Sequence, residues 1–224
     1  MWIKVCANTS REDALLAAEA GANAVGFVFA ESKRQVTPAK VRTITPFLPE
    51  AVEKIGVFVD ASFASMAATI GECGLTGVQI HSGCEVNATQ RLRDRFSDRL
   101  RILKVIHYRQ GLQAELRTAE DDANIDAVLV DSRTATLLGG TGVTFDWNSA
   151  QGIVIASPLQ IVVAGGLTPE NVGDAVAILR PWGVDVASGV EASPGMKDPE
   201  KVWAFIENAR IAAAKFGSAD ELRV

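Results

Sequence analysis

Residues 160–190, QIVVAGGLTPENVGDAVAILRPWGVDVASGV, hold one complete strand–helix–strand unit. The apolar runs Gln160–Val163 and Val184–Ala187 are continuous rather than alternating, which is typical of strands buried on both faces of a parallel sheet. Between them, Thr168-Pro169-Glu170 places an N-cap residue before a proline, and this predicts a helix over Asn171–Leu179. A strand, a helix and a second buried strand in direct succession predict an α/β fold with a parallel sheet.

The same alternation runs through the rest of the chain, where helical patterns also cover Glu12–Ala20, Pro38–Ile44 and Lys201–Ala214. Eight strands with helical connections in 224 residues predict a single-domain (β/α)8 barrel, the TIM barrel, near the small end of its size range. A doubly wound sheet is the alternative, but no G-x-G-x-x-G fingerprint follows the first strand. The predicted strands are Trp2–Cys6, Ala24–Phe29, Lys54–Val59, Gly77–Ile80, Ile102–Ile106, Ala127–Val130, Gln160–Val163 and Val184–Ala187.

Composition narrows the class of protein. With 48% hydrophobic and 22% charged residues, the chain has the composition of an ordinary globular protein. We expect the barrel to fill residues 1–216 and the polar residues 217–224 to form a frayed C-terminal tail. A net charge of −5 argues against a nucleic-acid binder. Three cysteines without a C-x-x-C pair, no signal peptide and no long apolar stretch predict a cytoplasmic protein that does not enter a membrane.

The carboxyl ends of barrel strands form the active-site mouth, so the residues there are the candidates for chemistry. Cys6 ends the first strand and Asp131 the sixth. A thiolate can act as a base toward a C–H proton, and a partly buried carboxylic acid can protonate a leaving oxygen. Taken singly, Cys6 is explained as a small buried hydrophobic residue and Asp131 as a helix or turn cap. Taken together at one barrel mouth, the two residues favour an isomerase.

Glycines follow the last two strands. Gly165 and Gly166 lie between the seventh strand and its helix, and Ser188 and Gly189 follow the eighth strand. Such loops expose backbone N–H groups to an anion and are where barrels often bind phosphate. Tight turns alone are the other explanation, but glycines in both loops favour a phosphorylated small-molecule substrate.

Three further side chains are candidate substrate ligands. Arg34, in the loop after the second strand, can take a carboxylate with two hydrogen bonds, unless it is simply a solvated loop cation. Gln79 and His81 lie at the end of the fourth strand, where a hydrogen-bonded loop histidine is the plainer alternative. Cys73, His81 and Cys84 match no standard zinc spacing, so we expect no metal site.

Several motifs together resemble the phosphoribosylanthranilate isomerase family. They run in family order from residue 4 to about residue 199, nearly the whole chain, and are therefore highly specific. They are KVCANT at 4–9, EDA at 12–14, GANAVGFVF at 21–29, SKR at 32–34, GVFV at 56–59, VQIH at 78–81, VD at 130–131, GGTG at 139–142, FDW at 145–147, AGGL at 164–167, PENV at 169–172, RP at 180–181, VDVASGVE at 184–191, PG at 194–195 and KD at 197–198.

The resemblance implies a TIM-barrel enzyme of tryptophan biosynthesis. Its reaction is the Amadori rearrangement of N-(5-phosphoribosyl)anthranilate to 1-(2-carboxyphenylamino)-1-deoxyribulose 5-phosphate, without metal or organic cofactor, by a monomer or a homodimer. Cys6 matches the family's general base, Asp131 its general acid and Arg34 the arginine that faces the anthranilate carboxylate. Gly165, Gly166, Ser188 and Gly189 match its phosphate loops.

The chain departs from the family pattern at three positions, and two other functions stay open. Ala7 stands where the family usually has the glycine after the catalytic cysteine, Ser82 where a glycine follows the strand-four histidine, and Ala187 where a first serine is usual. Alanine adopts positive φ only at a cost. A histidine-pathway or dual-substrate barrel isomerase is one alternative, although those enzymes use aspartate where Cys6 stands. A non-catalytic barrel that binds a phosphorylated metabolite is the other.

Overall fold

Eight parallel strands close into a barrel, and this confirms the (β/α)8 prediction. The computed structural model describes residues 1–81, 83–85, 87–132 and 145–220. Strand β1 pairs with both β2 and β8, with Lys4 opposite Asp185 in the closing pair, so the sheet has no open edge and a doubly wound sheet is excluded. The strands are β1 Trp2–Val5, β2 Ala24–Val28, β3 Glu53–Phe58, β4 Gly77–Ile80, β5 Arg101–His107, β6 Ala127–Asp131, β7 Ile161–Ala164 and β8 Gly183–Val186.

A helix follows each strand of the barrel. All strand ends agree with the sequence prediction to within one residue, because continuous apolar runs bounded by turn residues mark buried strands clearly. The second predicted helix, Pro38–Ile44, ends three residues early at Val41, and a separate 3-10 turn follows over Thr45–Phe47. The helices are α1 Arg11–Glu19, α2 Pro38–Val41, α3 Phe63–Cys73, α4 Ala88–Phe96, α5 Leu112–Glu120, α6 Trp147–Ala156, α7 Val172–Leu179 and α8 Pro199–Asp220.

The C-terminal region differs from the simple strand–helix repeat. A two-stranded antiparallel hairpin, β9 Glu191–Ser193 and β10 Met196–Lys197, lies between β8 and α8. Helix α8 continues to Asp220, so the first four residues of the expected tail are helical, and residues 221–224 lie outside the described residues. None of the helices described here is long and apolar enough to span a membrane.

Side-chain alternation divides the core into two layers. One layer lies between the sheet and the helices and includes Ile3 and Val5 of β1. The other fills the barrel interior, where Trp2 stacks on Trp182 with ring centroids 5.2 Å apart. Since Trp2 and Trp182 lie at the amino ends of β1 and β8, they close the bottom of the barrel and leave the carboxyl ends of the strands as the mouth. The interior layer contains Trp2, Ala24, Ile55, Leu103, Val105, Ala127, Leu129, Val162 and Ala164.

Candidate active site

Cys6 lies at the barrel mouth directly after β1. Its backbone N–H donates to the carbonyl oxygen of Val186 at 2.7 Å, which ties it to the end of β8. Gly26 of β2 makes room for the thiol, since a Cβ atom at that position would lie 2.5 Å from Sγ of Cys6. The residue is only 6% exposed. The thiol therefore has one fixed location, framed by three neighbouring strands.

A buried ion pair lies at the next inward position of β1, below the thiol. The ammonium of Lys4 is 2.8 Å from Oδ1 of Asp185 and donates to Oε1 of Gln79 at 2.8 Å. Burial raises the pKa of the Cys6 thiol, and the charge of Asp185 raises it further. The charges of Lys4 and Lys197 lower this pKa, but the net result is a pKa above the ordinary value of a thiol. The resting group is thus mainly a thiol, with positive charges placed to favour the thiolate.

The loop after Cys6 adopts an uncommon conformation. Ala7 has a φ of +64° in the left-handed region, which explains why the family places glycine there and costs an L-residue about 1–2 kcal/mol. Asn8 holds this conformation: its fully buried side chain donates to the carbonyl oxygens of Val5 at 2.8 Å and Gly26 at 3.2 Å. The departure at Ala7 therefore strains the loop, and the hydrogen bonds of Asn8 hold it in place.

Asp131 ends β6 and is 6% exposed at the same mouth. Its register places it opposite His107 of β5 and Ala164 of β7. The segment that follows, with the predicted GGTG motif at 139–142, lies outside the described residues, as does Ser82. The structure thus brings the predicted acid to the rim that carries the predicted base.

Gly165 allows β7 to approach the acid closely. It has a φ of +88°, and a Cβ atom there would lie 2.5 Å from Oδ1 of Asp131 and 2.0 Å from Oγ of Ser132. The sequence assigned Gly165 to a phosphate loop; the geometry also makes it the residue that gives the Asp131 carboxylate its space.

Gly165→Ala tests this approach. We expect kcat to fall at least about tenfold, because small displacements of a reacting group are costly, and stability to drop by more than about 1 kcal/mol, because the left-handed backbone is retained by an L-residue. Gly173→Ala in α7 is the matched control, since nothing lies within 4 Å of its added Cβ and its helical backbone suits alanine. Steady-state kinetics and thermal unfolding measure both; wild-type turnover in Gly165→Ala would mean that Asp131 does not depend on this contact.

The two glycine loops lie against each other. Gly189 follows β8 and packs so tightly on the loop after β7 that an added Cβ atom would lie 1.8 Å from the carbonyl oxygen of Leu167. Gly166 has a φ of +67°, and its carbonyl oxygen accepts from the side chain of Asn171, the residue before α7. Ser188 begins a short 3-10 turn beside them. The predicted phosphate residues are therefore neighbours near the amino end of α7.

Arg34 is held by a carboxylate rather than solvated. Its Nε donates to both carboxylate oxygens of Glu191, at 2.8 and 3.0 Å, and its second guanidinium nitrogen donates to Oε2 at 2.6 Å. The side chain of Arg34 is 14% exposed and that of Glu191 4%. Burial raises the pKa of Glu191, but the hydrogen bonds from Arg34 and the charges of Lys197 and Arg34 outweigh it and hold the pKa below its ordinary value. Because a guanidinium has five N–H donors, Arg34 still has donors for a ligand.

The remaining predicted ligands lie inside the barrel and at its rim. Gln79 is 4% exposed and joins Lys4 to His81, its Nε2 lying 3.2 Å from Nε2 of His81. The rings of His81 and His107 are 5.9 Å apart between centroids. His81 therefore lies beside the mouth, whereas Gln79 lies deeper in the barrel and contacts His81 from there.

The other two cysteines lie apart from this cluster. Cys73 ends α3, where its Sγ is 3.5 Å from the carbonyl oxygen of Pro38, and burial raises its pKa to about 11. Cys84 lies in the loop after β4 with its Sγ 4.0 Å from the carbonyl oxygen of Phe58. Within the part of the chain that the structure describes, no three metal-binding side chains come together.

The sequence analysis assigned no role to four charged residues of the site: Lys4, Asp185, Glu191 and Lys197. All four are buried. A signal was present, since Lys4 and Asp185 each stand between two apolar residues of a predicted strand, and a charged residue at such a place needs a partner. Which partner it finds depends on barrel closure.

Comparisons with known proteins identify the family. A family model described as N-(5′-phosphoribosyl)anthranilate (PRA) isomerase matches residues 3–208. An N-(5′-phosphoribosyl)anthranilate isomerase of Citrifermentans bemidjiense is 43% identical over 212 residues, covering 94% of this chain and 98% of the relative. Two solved structures are also similar over 94% of this chain and 98% of theirs. One is a phosphoribosylanthranilate isomerase in complex with reduced 1-(o-carboxyphenylamino)-1-deoxyribulose 5-phosphate, with 33% identity and a TM-score of 0.80. The other describes monomers of the dimeric enzyme of Thermotoga maritima, with 32% identity and a TM-score of 0.78. The chain belongs to the N-(5′-phosphoribosyl)anthranilate isomerase family.

Proposed function

We propose that this chain rearranges N-(5-phosphoribosyl)anthranilate to 1-(2-carboxyphenylamino)-1-deoxyribulose 5-phosphate in tryptophan biosynthesis, with Cys6 as general base and Asp131 as general acid. The observation that carries the proposal is their placement: a buried thiol after β1 and a buried carboxyl group at the end of β6 share one barrel mouth. That mouth also holds a carboxylate-binding arginine and a pair of glycine loops.

The reaction needs one acid and one base acting in succession. Asp131 gives a proton to the furanose ring oxygen while the nitrogen lone pair forms a Schiff base at C1′, and the ring opens. The Cys6 thiolate then takes the proton from C2′, and that electron pair forms the enolamine, which tautomerises to the ketone. No atom is gained or lost, and no redox partner is needed. Because the two groups act at successive steps, each must be held ready at its own atom.

Binding at both ends of the substrate fixes the reacting carbons between these groups. The adjoining loops with Gly165, Gly166, Ser188 and Gly189 lie near the start of α7, and glycine-rich loops at a helix amino end suit a phosphate. Arg34 takes the anthranilate carboxylate with the donors that Glu191 leaves unused. His81 lies beside the mouth, and Gln79 holds it from inside the barrel. Binding energy from the two anionic ends therefore orients the sugar between acid and base.

One chain supplies every group in this scheme. Cys6 and Arg34 come from the loops after β1 and β2, and Asp131 comes from β6 of the same barrel. The site is therefore complete in a monomer and equally so in a homodimer. All three cysteines are free thiols. Since the base must stay reduced, we place the reaction in the cytoplasm.

The direct test is turnover of freshly made phosphoribosylanthranilate, followed by loss of its fluorescence. The gene should also restore growth without tryptophan to a strain that lacks this isomerase, and should fail to rescue a strain that lacks the histidine-pathway isomerase. Rescue of both strains would favour the dual-substrate enzyme. Binding of the substrate without turnover would favour the non-catalytic barrel.

Arg34→Met tests the carboxylate end. Loss of a charged hydrogen bond costs about 1.5–3 kcal/mol, so we expect KM to rise at least about tenfold with a smaller change in kcat. Arg34→Lys keeps the charge but loses the two-pronged geometry, and we expect it to recover only part of the affinity. An unchanged KM in both variants would move the carboxylate site elsewhere.

A further inference from the structure

The hairpin between β8 and α8 is fastened to the loop that carries Cys6. The hydroxyl of Thr9 donates to the carbonyl oxygen of Gly195 at 2.6 Å, and the backbone N–H of Lys197 donates to Oδ1 of Asp13 at 3.2 Å. Gly195 turns the hairpin with a φ of +84°. Two side chains of the hairpin, Glu191 and Lys197, point back into the protein and are buried.

Lys197 contacts the peptide of the proposed base. Its ammonium donates to the carbonyl oxygen of Cys6 at 2.6 Å, to that of Ala187 at 3.1 Å and to Oε1 of Glu191 at 3.4 Å. Three acceptors match the three N–H bonds of an ammonium, so the group is satisfied although its side chain is fully buried. The contact links the ends of β1 and β8 at the point where the thiol is presented.

Glu191 contacts Arg34, the residue proposed to bind the substrate carboxylate. It fixes the guanidinium plane of Arg34 through Nε and one terminal nitrogen, which leaves the opposite edge of the fork for a ligand. Glu191 and Lys197 also contact each other, so an unbroken chain runs from Arg34 through Glu191 and Lys197 to the Cys6 peptide.

We infer that Glu191 and Lys197 are positioning residues, which hold Arg34 and Cys6 at a fixed separation so that the substrate carboxylate and the base are placed together. The inference rests on the proposed function for the roles of Arg34 and Cys6. Neither residue touches the substrate in this scheme. Glu191 acts through the orientation of Arg34, and Lys197 acts through the Cys6 peptide and through its positive charge beside the thiol.

The role of Glu191 is tested with a substrate that lacks the carboxylate. Glu191→Gln keeps the shape of the side chain but removes the charge that orients Arg34. We expect KM for phosphoribosylanthranilate to rise at least about tenfold, and KM for the corresponding phosphoribosylaniline to stay within about threefold of wild type. A merely structural role would weaken both substrates equally, and that result would overturn the inference. Glu200→Gln, on the exposed first turn of α8, is the matched control.

The role of Lys197 is tested on the thiol itself. The charged groups that act on Cys6 are Lys4, Asp185, Lys197 and Arg34. In a Cys73→Ser, Cys84→Ser background, the rate of alkylation by iodoacetamide against pH reports the ionisation of Cys6. Lys197→Met removes one positive charge, so we expect this profile to move to higher pH and kcat to fall at least about tenfold. Lys40→Met is the matched control, since that lysine is exposed in the last turn of α2.

These readouts separate the inference from the proposed function. If the wild-type protein does not turn over phosphoribosylanthranilate, the function fails, while the alkylation profile still decides the role of Lys197. A folded Lys197→Met protein with an unchanged profile and kcat would overturn its role. If Lys197→Met does not fold, Glu191→Gln with the two substrates decides whether the chain of contacts positions Arg34.

Discussion

Replacing Cys6 with serine should lower kcat at least about a hundredfold while the barrel stays folded. Serine is nearly the same size, so it fits the space that Gly26 leaves and keeps the backbone hydrogen bond to Val186. Its hydroxyl, however, ionises far above the pKa of a thiol and cannot take the C2′ proton at neutral pH. The measurement is kcat from fluorescence decay together with thermal unfolding.

The other cysteines provide the controls for this variant. Cys73→Ser and Cys84→Ser should leave kcat nearly unchanged, because Cys73 lies at the end of α3 and Cys84 in the loop beside Phe58. Wild-type turnover in Cys6→Ser would mean that another group is the base.

The pH profile gives a second check on the same base. Because burial raises the pKa of Cys6 and Lys4 and Lys197 only partly oppose it, the active thiolate is a minor form at neutral pH. Its fraction grows as pH rises toward that pKa, so kcat/KM should increase with pH through neutrality and level off above the ordinary thiol pKa of about 8.5. A flat profile over this range would contradict a thiol base with a raised pKa.

The sequence was sufficient to predict the fold and the location of the two proposed reacting groups. Strands at residues 160–163 and 184–187 could be recognised from apolar runs, and the carboxyl end of each strand then identified Cys6 and Asp131 as neighbours of one mouth. The glycine loops followed from the same rule. The location of a residue at the end of a strand can be predicted from the sequence, because every strand of the barrel ends at the same mouth.

The supporting contacts could not be predicted because they join distant parts of the chain. Arg34 and Glu191 are 157 positions apart, and Lys197 and Cys6 191 positions apart. Arg34 alone was compatible with a solvated loop cation, and nothing local marked Glu191 as its partner. The contacts exist because β1 pairs with both β2 and β8, which brings the loops after β1 and β2 beside the segment after β8.

Replacing Asp131 with asparagine should lower kcat at least about a hundredfold, equivalent to about 2.7 kcal/mol of transition-state stabilisation. Asparagine keeps the shape of the side chain in the space beside Gly165, but its amide cannot supply a proton to the ring oxygen. Because the change affects the acid step and not the anionic ends, binding of reduced 1-(2-carboxyphenylamino)-1-deoxyribulose 5-phosphate, measured by calorimetry, should stay close to wild type. Asp121→Asn, exposed at the end of α5, is the control and should leave both quantities unchanged. If instead KM alone rose, Asp131 would be a binding residue, and the proton that opens the ring would have to come from another group at the mouth.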